Sequence, residues 1–251
     1  MIRIDKFLCD SLGLSRSEAK KAVLSGKVLV NDIKVLRPEA KLSEETDSVL
    51  YEGNPVVYEK YVYYMLNKPA GVVSANSDSR DKTCIDLLKD EHKKDLSCVG
   101  RLDKDTTGLM LITNDGALVH ALTAPAKDIF KDYLVKIPKP LTEEQISSLE
   151  NGVDINDKMP TKPAFVKIPD NTSAGGEGLL KNGDTAQMIL SISEGRFHQV
   201  KRMLIAVGSK VLELKRISVG GLKLDDSLKP GEYRRLSDAE VELLKSVSKQ
   251  S

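Results

Sequence analysis

The hydrophobic pattern of the chain changes near residue 58, and this change limits the folds that the chain can adopt. Up to residue 42 the apolar residues recur first at helical spacing and then in two short strand-like runs. From Tyr61 the sequence moves to longer strand-rich runs, beginning with YVYYML. A chain of 251 residues has room for a small domain and a larger one. We therefore predict two domains, residues 1–58 including a connector, and residues 59–251.

The small domain has the pattern helix, helix, strand, turn, strand. The tetrapeptide SRSE, which begins at Ser15, has the spacing of a capping box that satisfies the first amides of the second helix. We expect this helix to end at Gly26, and the pair Asn31-Asp32 to form the tight turn between the two strands. Residues 43–60 are typical of a connector or a short hairpin.

The larger domain mixes strands and helices without regular alternation, which predicts an α+β fold with a mainly antiparallel, mixed sheet flanked by helices. The predicted strands are 108–113, 133–137, 186–192 and 210–217, and the predicted helices are 142–150, 196–207 and 237–245. In the second of these helices Phe197, Val200 and Leu204 are expected to share the apolar face. Residues 171–184 are glycine-rich and are predicted to form a mobile loop.

Composition excludes several classes of function. The three cysteines and three histidines are dispersed, so we expect no zinc site, and the odd number of cysteines suits a reducing compartment. The N-terminus is charged from its third residue, and no stretch has the apolar length of a membrane span. We therefore expect a soluble, cytoplasmic protein.

Net charge gives no indication of a nucleic-acid partner, because 38 basic residues almost balance 37 acidic ones. Residues 1–41, however, carry nine basic side chains against five acidic ones. Such a cluster can follow a phosphate backbone, although most are simply solvated helix faces.

The order of residues favours binding to a phosphate backbone. The segment IRIDKFLCDSLGLSRSEAKKAVLSGKVLVNDIKV resembles the S4 RNA-binding domain along nearly its whole length. The resemblance implies binding to structured RNA through four basic residues: Arg3, Arg16, Lys20 and Lys27.

The segment VGRLDKDTTGLMLI places Asp103 on a polar turn directly before an apolar strand. A carboxylate there can be a nucleophile, a general base, a metal ligand or only a turn residue. Its DxDxT spacing is similar to that of haloacid-dehalogenase-type phosphotransferases, but Gly100-Arg101 stands where that family has a buried strand.

A closer resemblance is to the pseudouridine synthases, on motifs in the same order. GRLDKDTTGLMLITNDG resembles their catalytic motif, with Asp103 as the essential residue, and NKPAG resembles their first motif. KDYLV and EGRFHQVKRM resemble the motifs that carry the active-site tyrosine and a basic partner of the aspartate, here Tyr133 and Lys201. RISVGGL continues the pattern, and the implied catalytic set is Asp103, Tyr133 and Lys201.

The resemblance also implies contacts with RNA and the target uridine. Arg101 would fill the space left by the extruded uridine or hold phosphates, and the basic stretch 196–216 would face the RNA backbone. The full set of predicted contacts in this domain is Arg101, Lys68, Gly71, Arg196, Arg202 and Leu222. For His198 we expect no more than a hydrogen bond within its motif.

An S4 domain before these motifs resembles the RsuA branch, which implies isomerisation of one uridine in 16S rRNA, at pseudouridine-516, within an assembling small subunit. The isomerisation changes no redox state and needs no group donor, so we expect no cofactor; we also expect a monomer. The alternatives are a synthase acting on 23S rRNA, a DxDxT phosphotransferase that requires Mg²⁺, and a non-catalytic S4 RNA-binding factor.

Overall fold

The structure, a computed structural model, describes residues 1–89, 95–168 and 185–250. These residues form two compact units, one of residues 1–62 and one of residues 63–89 and 95–250. The predicted loop 171–184 lies outside the described residues. No helix within those ranges has both the length and the apolar content needed to cross a membrane.

The first unit packs two helices against short strands. Its elements are β1 (Ile2–Arg3), α1 (Ile4–Leu12), α2 (Arg16–Leu24), β2 (Val28–Val30), β3 (Ile33–Lys34), β4 (Lys41–Leu42), β5 (Val49–Tyr51) and β6 (Asn54–Pro55). β1 pairs with β4, and a second sheet has the order β3-β2-β5-β6. Its core is formed by apolar side chains from both helices, such as Phe7, Leu8 and Val23, packed near Val28 and Val49.

The local signals of this unit are confirmed. Ser15 Oγ accepts a hydrogen bond from the Glu18 amide, while the Glu18 carboxylate accepts one from the Ser15 amide, which completes the capping box. Gly26 follows α2 with a φ of 71°. Asn31 and Asp32 have φ values of 49° and 64°, as a two-residue hairpin turn with positive φ at both positions requires. The segment from residue 43 contributes β5 and β6 to the sheet.

The second unit is built on a nine-stranded sheet. Its elements are β7 (Tyr63–Lys68), β8 (Ser97–Cys98), β9 (Thr107–Thr113), α3 (Gly116–Thr123), β10 (Lys131–Ile137), α4 (Glu143–Asn151), β11 (Phe165–Lys167), β12 (Ala186–Ile192), α5 (Gln199–Ala206), β13 (Glu213–Val219), β14 (Leu222–Lys223), β15 (Tyr233–Arg235) and α6 (Asp238–Gln250).

The strand order is β11-β12-β10-β13-β9-β7-β15, with β8 beside β9 and β14 beside β13. Among the described strands β13 and β9 pair in parallel, and every other pair in this sheet is antiparallel. The predicted α+β class with a mainly antiparallel mixed sheet is therefore confirmed. Apolar side chains of β7, β9, α3 and α6, such as Met65, Leu111, Leu122 and Leu244, share one core.

Three predicted boundaries in this unit are wrong by three or more residues. The helix predicted to end at residue 245 continues to Gln250. The strand predicted to begin at residue 210 begins at Glu213. The helix predicted to begin at residue 196 begins at Gln199, because His198 has a left-handed conformation with a φ of 48°, which a helix cannot continue through. Phe197 consequently lies outside α5, and its side chain is exposed instead of sharing the apolar face of the helix.

Candidate active site

Asp103 lies on the loop between β8 and β9, and hydrogen bonds fix this loop from two sides. The Thr106 amide donates to the Asp103 carbonyl, with an N to O distance of 3.1 Å. The Leu102 amide donates to Ser74 Oγ at 3.0 Å, and the Ser74 hydroxyl donates to the Leu102 carbonyl at 2.9 Å. The position of the Asp103 backbone is therefore set by its own strand and by a neighbouring segment.

Lys68 ends β7 directly beneath this loop, and its side chain is fully buried. Its Nζ donates to the carbonyl oxygens of Thr106 at 2.8 Å, Asp103 at 3.1 Å and Pro69 at 3.2 Å. Burial lowers the pKa of Lys68 below its ordinary value. The buried ammonium of Lys68 is bonded to backbone carbonyls and so holds the loop, and the predicted contact of Lys68 with RNA stays a prediction.

Gly71 lies on the other side of the same loop. Its amide donates to the Lys104 carbonyl at 2.8 Å, and its φ of 84° is one that glycine adopts without strain. Gly71 is exposed, so an RNA contact there stays a prediction.

The end of the loop also depends on Arg216, the first residue of the RISVGGL motif, for which no role was predicted. Where β9 begins, Gly108 lies against the β13 backbone, and a Cβ on Gly108 would stand 2.2 Å from the Arg216 carbonyl oxygen. The Arg216 side chain is only 2 % exposed, and its Nε donates to the Leu109 carbonyl at 2.8 Å. This buried guanidinium is a structural part of the sheet, and its place in the strand pairing explains why the motif alone did not reveal it.

The carboxylate of Asp103 faces two groups from the segment around the start of α5. Lys201 Nζ lies 3.0 Å from Asp103 Oδ2, and His198 Nε2 lies 3.5 Å from Asp103 Oδ1. Lys201 Nζ also donates to both carboxylate oxygens of Asp105, at 2.7 and 2.9 Å. The sequence analysis did not predict these two contacts. It expected only a hydrogen bond within its motif for His198, and it assigned no role to Asp105.

The charges of this cluster reinforce each other. Burial alone would lower the pKa of Lys201, but its hydrogen bonds to Asp105 and Asp103 outweigh burial and raise that pKa. The hydrogen bond from Lys201 lowers the pKa of Asp105. Lys201 is therefore held as an ammonium ion beside Asp103.

The cluster opens into a narrow cleft with a volume of about 70 Å³. The structure brings five of the predicted site residues to its lining: Arg101, Asp103, Tyr133, Arg196 and Lys201. Tyr133 comes from the middle of the sheet, on β10, and is 7 % exposed. The cleft is much smaller than a typical small-molecule site of ~300–1,000 Å³, so a ligand that enters it must be a single flat group or must widen it.

Two of the predicted RNA-contacting arginines serve the framework around this cleft. Arg196 donates to the carbonyl oxygens of Met159 and Pro160 at 2.6 and 2.7 Å. Arg202 pairs with Asp157 at 2.6 Å and donates to the Ile155 carbonyl. The Arg202 guanidinium is engaged within the protein, and its contact with RNA stays a prediction. Arg196 has both a framework role and a place in the cleft lining.

Leu222 also lies within the framework. It lies on β14, its side chain is 4 % exposed, and it belongs to the apolar core of the second unit. Leu222 therefore packs the core, and its contact with uridine stays a prediction.

The predicted RNA-contacting residues of the first unit are all exposed. Arg3 forms an ion pair with Asp5 at 2.7 Å, and Lys27 forms one with Glu52 at 2.5 Å. Arg16 and Lys20 project from α2. The first unit thus presents basic side chains on one helix and its flanks.

The first unit exposes basic side chains on a helix, and the second brings an aspartate, a lysine and a tyrosine together in one cleft. These are the features expected of an RNA-modifying enzyme with an S4 domain. Comparison with known families agrees. The S4 domain model matches residues 2–48, and the RNA pseudouridylate synthase model matches residues 62–206. The chain belongs to the RNA pseudouridylate synthase family and is a pseudouridine synthase, an isomerase; it is not a DxDxT phosphotransferase.

Similar proteins match along nearly the whole chain. A Bacillus subtilis (strain 168) protein described as an uncharacterized RNA pseudouridine synthase is 42 % identical, over 97 % of this chain and 98 % of the relative. The ribosomal small subunit pseudouridine synthase A of Escherichia coli (strain K12) is 39 % identical, over 96 % of this chain and 98 % of the relative. A crystal structure of a pseudouridylate synthase matches with a TM-score of 0.65 and 37 % identity, covering 97 % of this chain and all of that one.

Proposed function

We propose that this protein converts one uridine of 16S rRNA in the small ribosomal subunit, at position 516, to pseudouridine. The target is supported by relatives whose names state action on the small subunit, such as those of Escherichia coli and Vibrio cholerae, 39 % and 37 % identical over 96 % of this chain. The observation that carries the catalytic part is the placement of Asp103 within 3.0 Å of the Lys201 ammonium in a cleft that Tyr133 also lines. The substrate would be met in the cytoplasm, during assembly of the subunit.

The reaction breaks the bond between N1 of uracil and C1′ of ribose, turns the base, and joins C5 to C1′. C5 loses a proton and N1 gains one, so atoms and charge balance without an external oxidant or donor. An ionised Asp103 can begin this by attacking C6 of the base, by attacking C1′, or by removing a ribose proton. In each route the Lys201 ammonium, 3.0 Å from Asp103 Oδ2, holds the carboxylate in place and keeps a positive charge beside the reacting atoms.

The other side chains of the cleft have supporting tasks in this proposal. Tyr133 offers its ring to the uracil, and stacking of a base on an aromatic ring contributes ~1–3 kcal/mol. Arg101 is exposed at the cleft and would take the place of the extruded uridine or hold phosphates next to it. Arg16 and Lys20 of the first unit would bind the RNA backbone without reading its sequence.

The first test is to map pseudouridines in 16S and 23S rRNA from cells with and without this protein, by carbodiimide treatment and primer extension. In cells that lack the protein, we expect one primer-extension stop, at position 516 of 16S rRNA, to be absent. A lost stop in 23S rRNA instead would contradict the proposed target but keep the enzyme class.

The second test replaces the carboxylate. We expect Asp103→Asn to reduce conversion of uridine by at least ~10²–10⁴-fold, the range over which a positioned acid or base accelerates a reaction. RNA affinity should stay near that of the unchanged protein, because one cleft residue contributes little to backbone binding. Asp226→Asn, at an exposed position of the same unit, is the control and should retain full activity. A fully active Asp103→Asn variant would refute the catalytic assignment.

A further inference from the structure

An aromatic ring stands in solvent at the rim of the cleft. Phe197 is 74 % exposed, although it directly precedes α5 and the apolar face of that helix is buried. Its ring stacks on the imidazole of His198, with centroids 3.9 Å apart and planes at 18°. His198 in turn lies beside Asp103, at 3.5 Å, and lines the cleft. The pair is therefore continuous with the catalytic cluster.

The exposed ring is held by a rigid segment. Glu194 is buried and accepts hydrogen bonds from the Lys162 amide, Arg196 Nε and Gln199 Nε2. Arg196 is bonded as well to two carbonyl oxygens of the neighbouring segment. Since His198 adopts a left-handed backbone that few non-glycine residues take, the surrounding bonds fix a conformation that the chain would not choose by itself. The position of Phe197 is thus imposed by the fold.

A single exposed apolar side chain is common on protein surfaces and needs no explanation by itself. Phe197 differs in two respects, its stacking on a residue that touches Asp103 and its placement by a strained, tightly bonded turn. Arg101 is exposed on the same cleft and would attract a phosphate backbone to this rim. Stacking on RNA bases is the task that an exposed flat ring near a cation performs in RNA-binding proteins.

We propose that Phe197, backed by His198, is a stacking platform for an RNA base next to the target uridine. The proposal rests on the proposed function, since a nucleotide that is drawn into the cleft leaves its neighbours unstacked. Phe197 is not among the residues that line the cleft around Asp103, whereas His198 is. The base on Phe197 is therefore a neighbour of the target and not the target itself, which is assigned to Tyr133.

The test compares Phe197→Ala with the unchanged protein on a 16S rRNA fragment that spans the target uridine. We expect KM and Kd for this RNA to rise about tenfold, within the range that loss of one base–aromatic stack produces, with a smaller change in kcat. Phe197→Tyr and Phe197→Trp keep a flat ring and should keep affinity. The melting temperature should not fall in any of them, because the ring is exposed. Phe165→Ala removes a ring that is 58 % exposed on β11 and serves as the matched control, with no change in KM.

RNA fragments with an abasic nucleotide 5′ or 3′ of the target identify the stacked base. On one of them, Phe197→Ala should cause no further loss of affinity, because the partner of the ring is already missing. Unchanged KM and Kd in Phe197→Ala, or an equal loss on both abasic fragments, would overturn the platform. Conversion and binding are measured separately, so an unchanged protein that binds the fragment but forms no pseudouridine would refute the proposed function, while the Kd values still decide the platform.

Discussion

The two sides of the cleft use lysine in opposite ways. On the loop side, which comprises Lys68 and residues 102–108, the Lys68 ammonium is fully buried and bonded to backbone carbonyls. On the helix side, which comprises residues 194–202, the ammonium of Lys201 is 23 % exposed and shared between two carboxylates. Burial lowers the pKa of Lys68, whereas the carboxylates raise that of Lys201. The lysine that is surrounded by backbone carbonyls therefore fixes the conformation of the loop. The lysine that is surrounded by carboxylates stabilises their negative charge.

The largest difference in stability between the two sides should come from replacing one glycine on each side with alanine, which adds one methyl group. Gly108→Ala on the loop side places a Cβ 2.2 Å from the Arg216 carbonyl at a φ of 99°, so the strands must separate. We expect a loss of at least ~3 kcal/mol in the free energy of unfolding, as for severe overpacking with backbone strain. Gly195→Ala on the helix side meets nothing within 4 Å and should change stability by less than ~0.5 kcal/mol. Urea unfolding measures both, and equal losses would remove the distinction between a closed and an open side.

The next effect concerns the buried ammonium. Lys68→Met should lower the free energy of unfolding by ~2 kcal/mol, because the buried carbonyl of Thr106 and the part-buried carbonyl of Pro69 lose a donor. Relief from burying a charge offsets part of this cost. Lys104→Met is the control on the same loop, since its ammonium is exposed and pairs only with Asp81 among the described residues. Thermal unfolding should separate the two variants clearly. A Lys68→Met variant as stable as Lys104→Met would show that the loop does not depend on the ammonium.

The smallest effect tests the charge-sharing on the helix side. Asp105→Asn removes a carboxylate that favours the protonated form of Lys201, so the pKa of Lys201 should fall. The fall should be small, because Asp105 is 73 % exposed and solvent screens the pair. NMR titration of the labelled lysine side chain measures this pKa directly. Asp81→Asn should leave Lys201 unchanged, and an identical titration of Lys201 in the Asp105→Asn variant would contradict the sharing.

Predictions from local sequence succeeded where the stabilising contacts are themselves local. The capping box at Ser15 and the turn at Asn31 need only residues a few positions apart, and both formed as expected. The helix predicted from residue 196 failed at its start because the turn at His198 is held by distant partners such as Met159. Periodicity cannot report such partners, so it assigned the exposed Phe197 to a buried face.

The predicted site divides in the same way. The motif order identified Asp103, Tyr133 and Lys201, and the fold brought all three to one cleft. The motif order could not show that Lys68 and Arg202, which were predicted to contact RNA, also bond to the protein framework. Nor could it reveal that Asp105 and His198 also face the catalytic pair.

By itself, the sequence determined the two-part organisation, the family and the types of side chain available for chemistry, because periodicity, caps and motifs are written in consecutive residues. Only the tertiary structure decided which cation is buried, which is shared and which ring is left in solvent. Burial and pairing depend on strands and loops that are far apart in the chain, as with Lys68 and Thr106, or Lys201 and Asp103. The same ammonium group becomes a support or a charge partner according to whether carbonyls or carboxylates surround it.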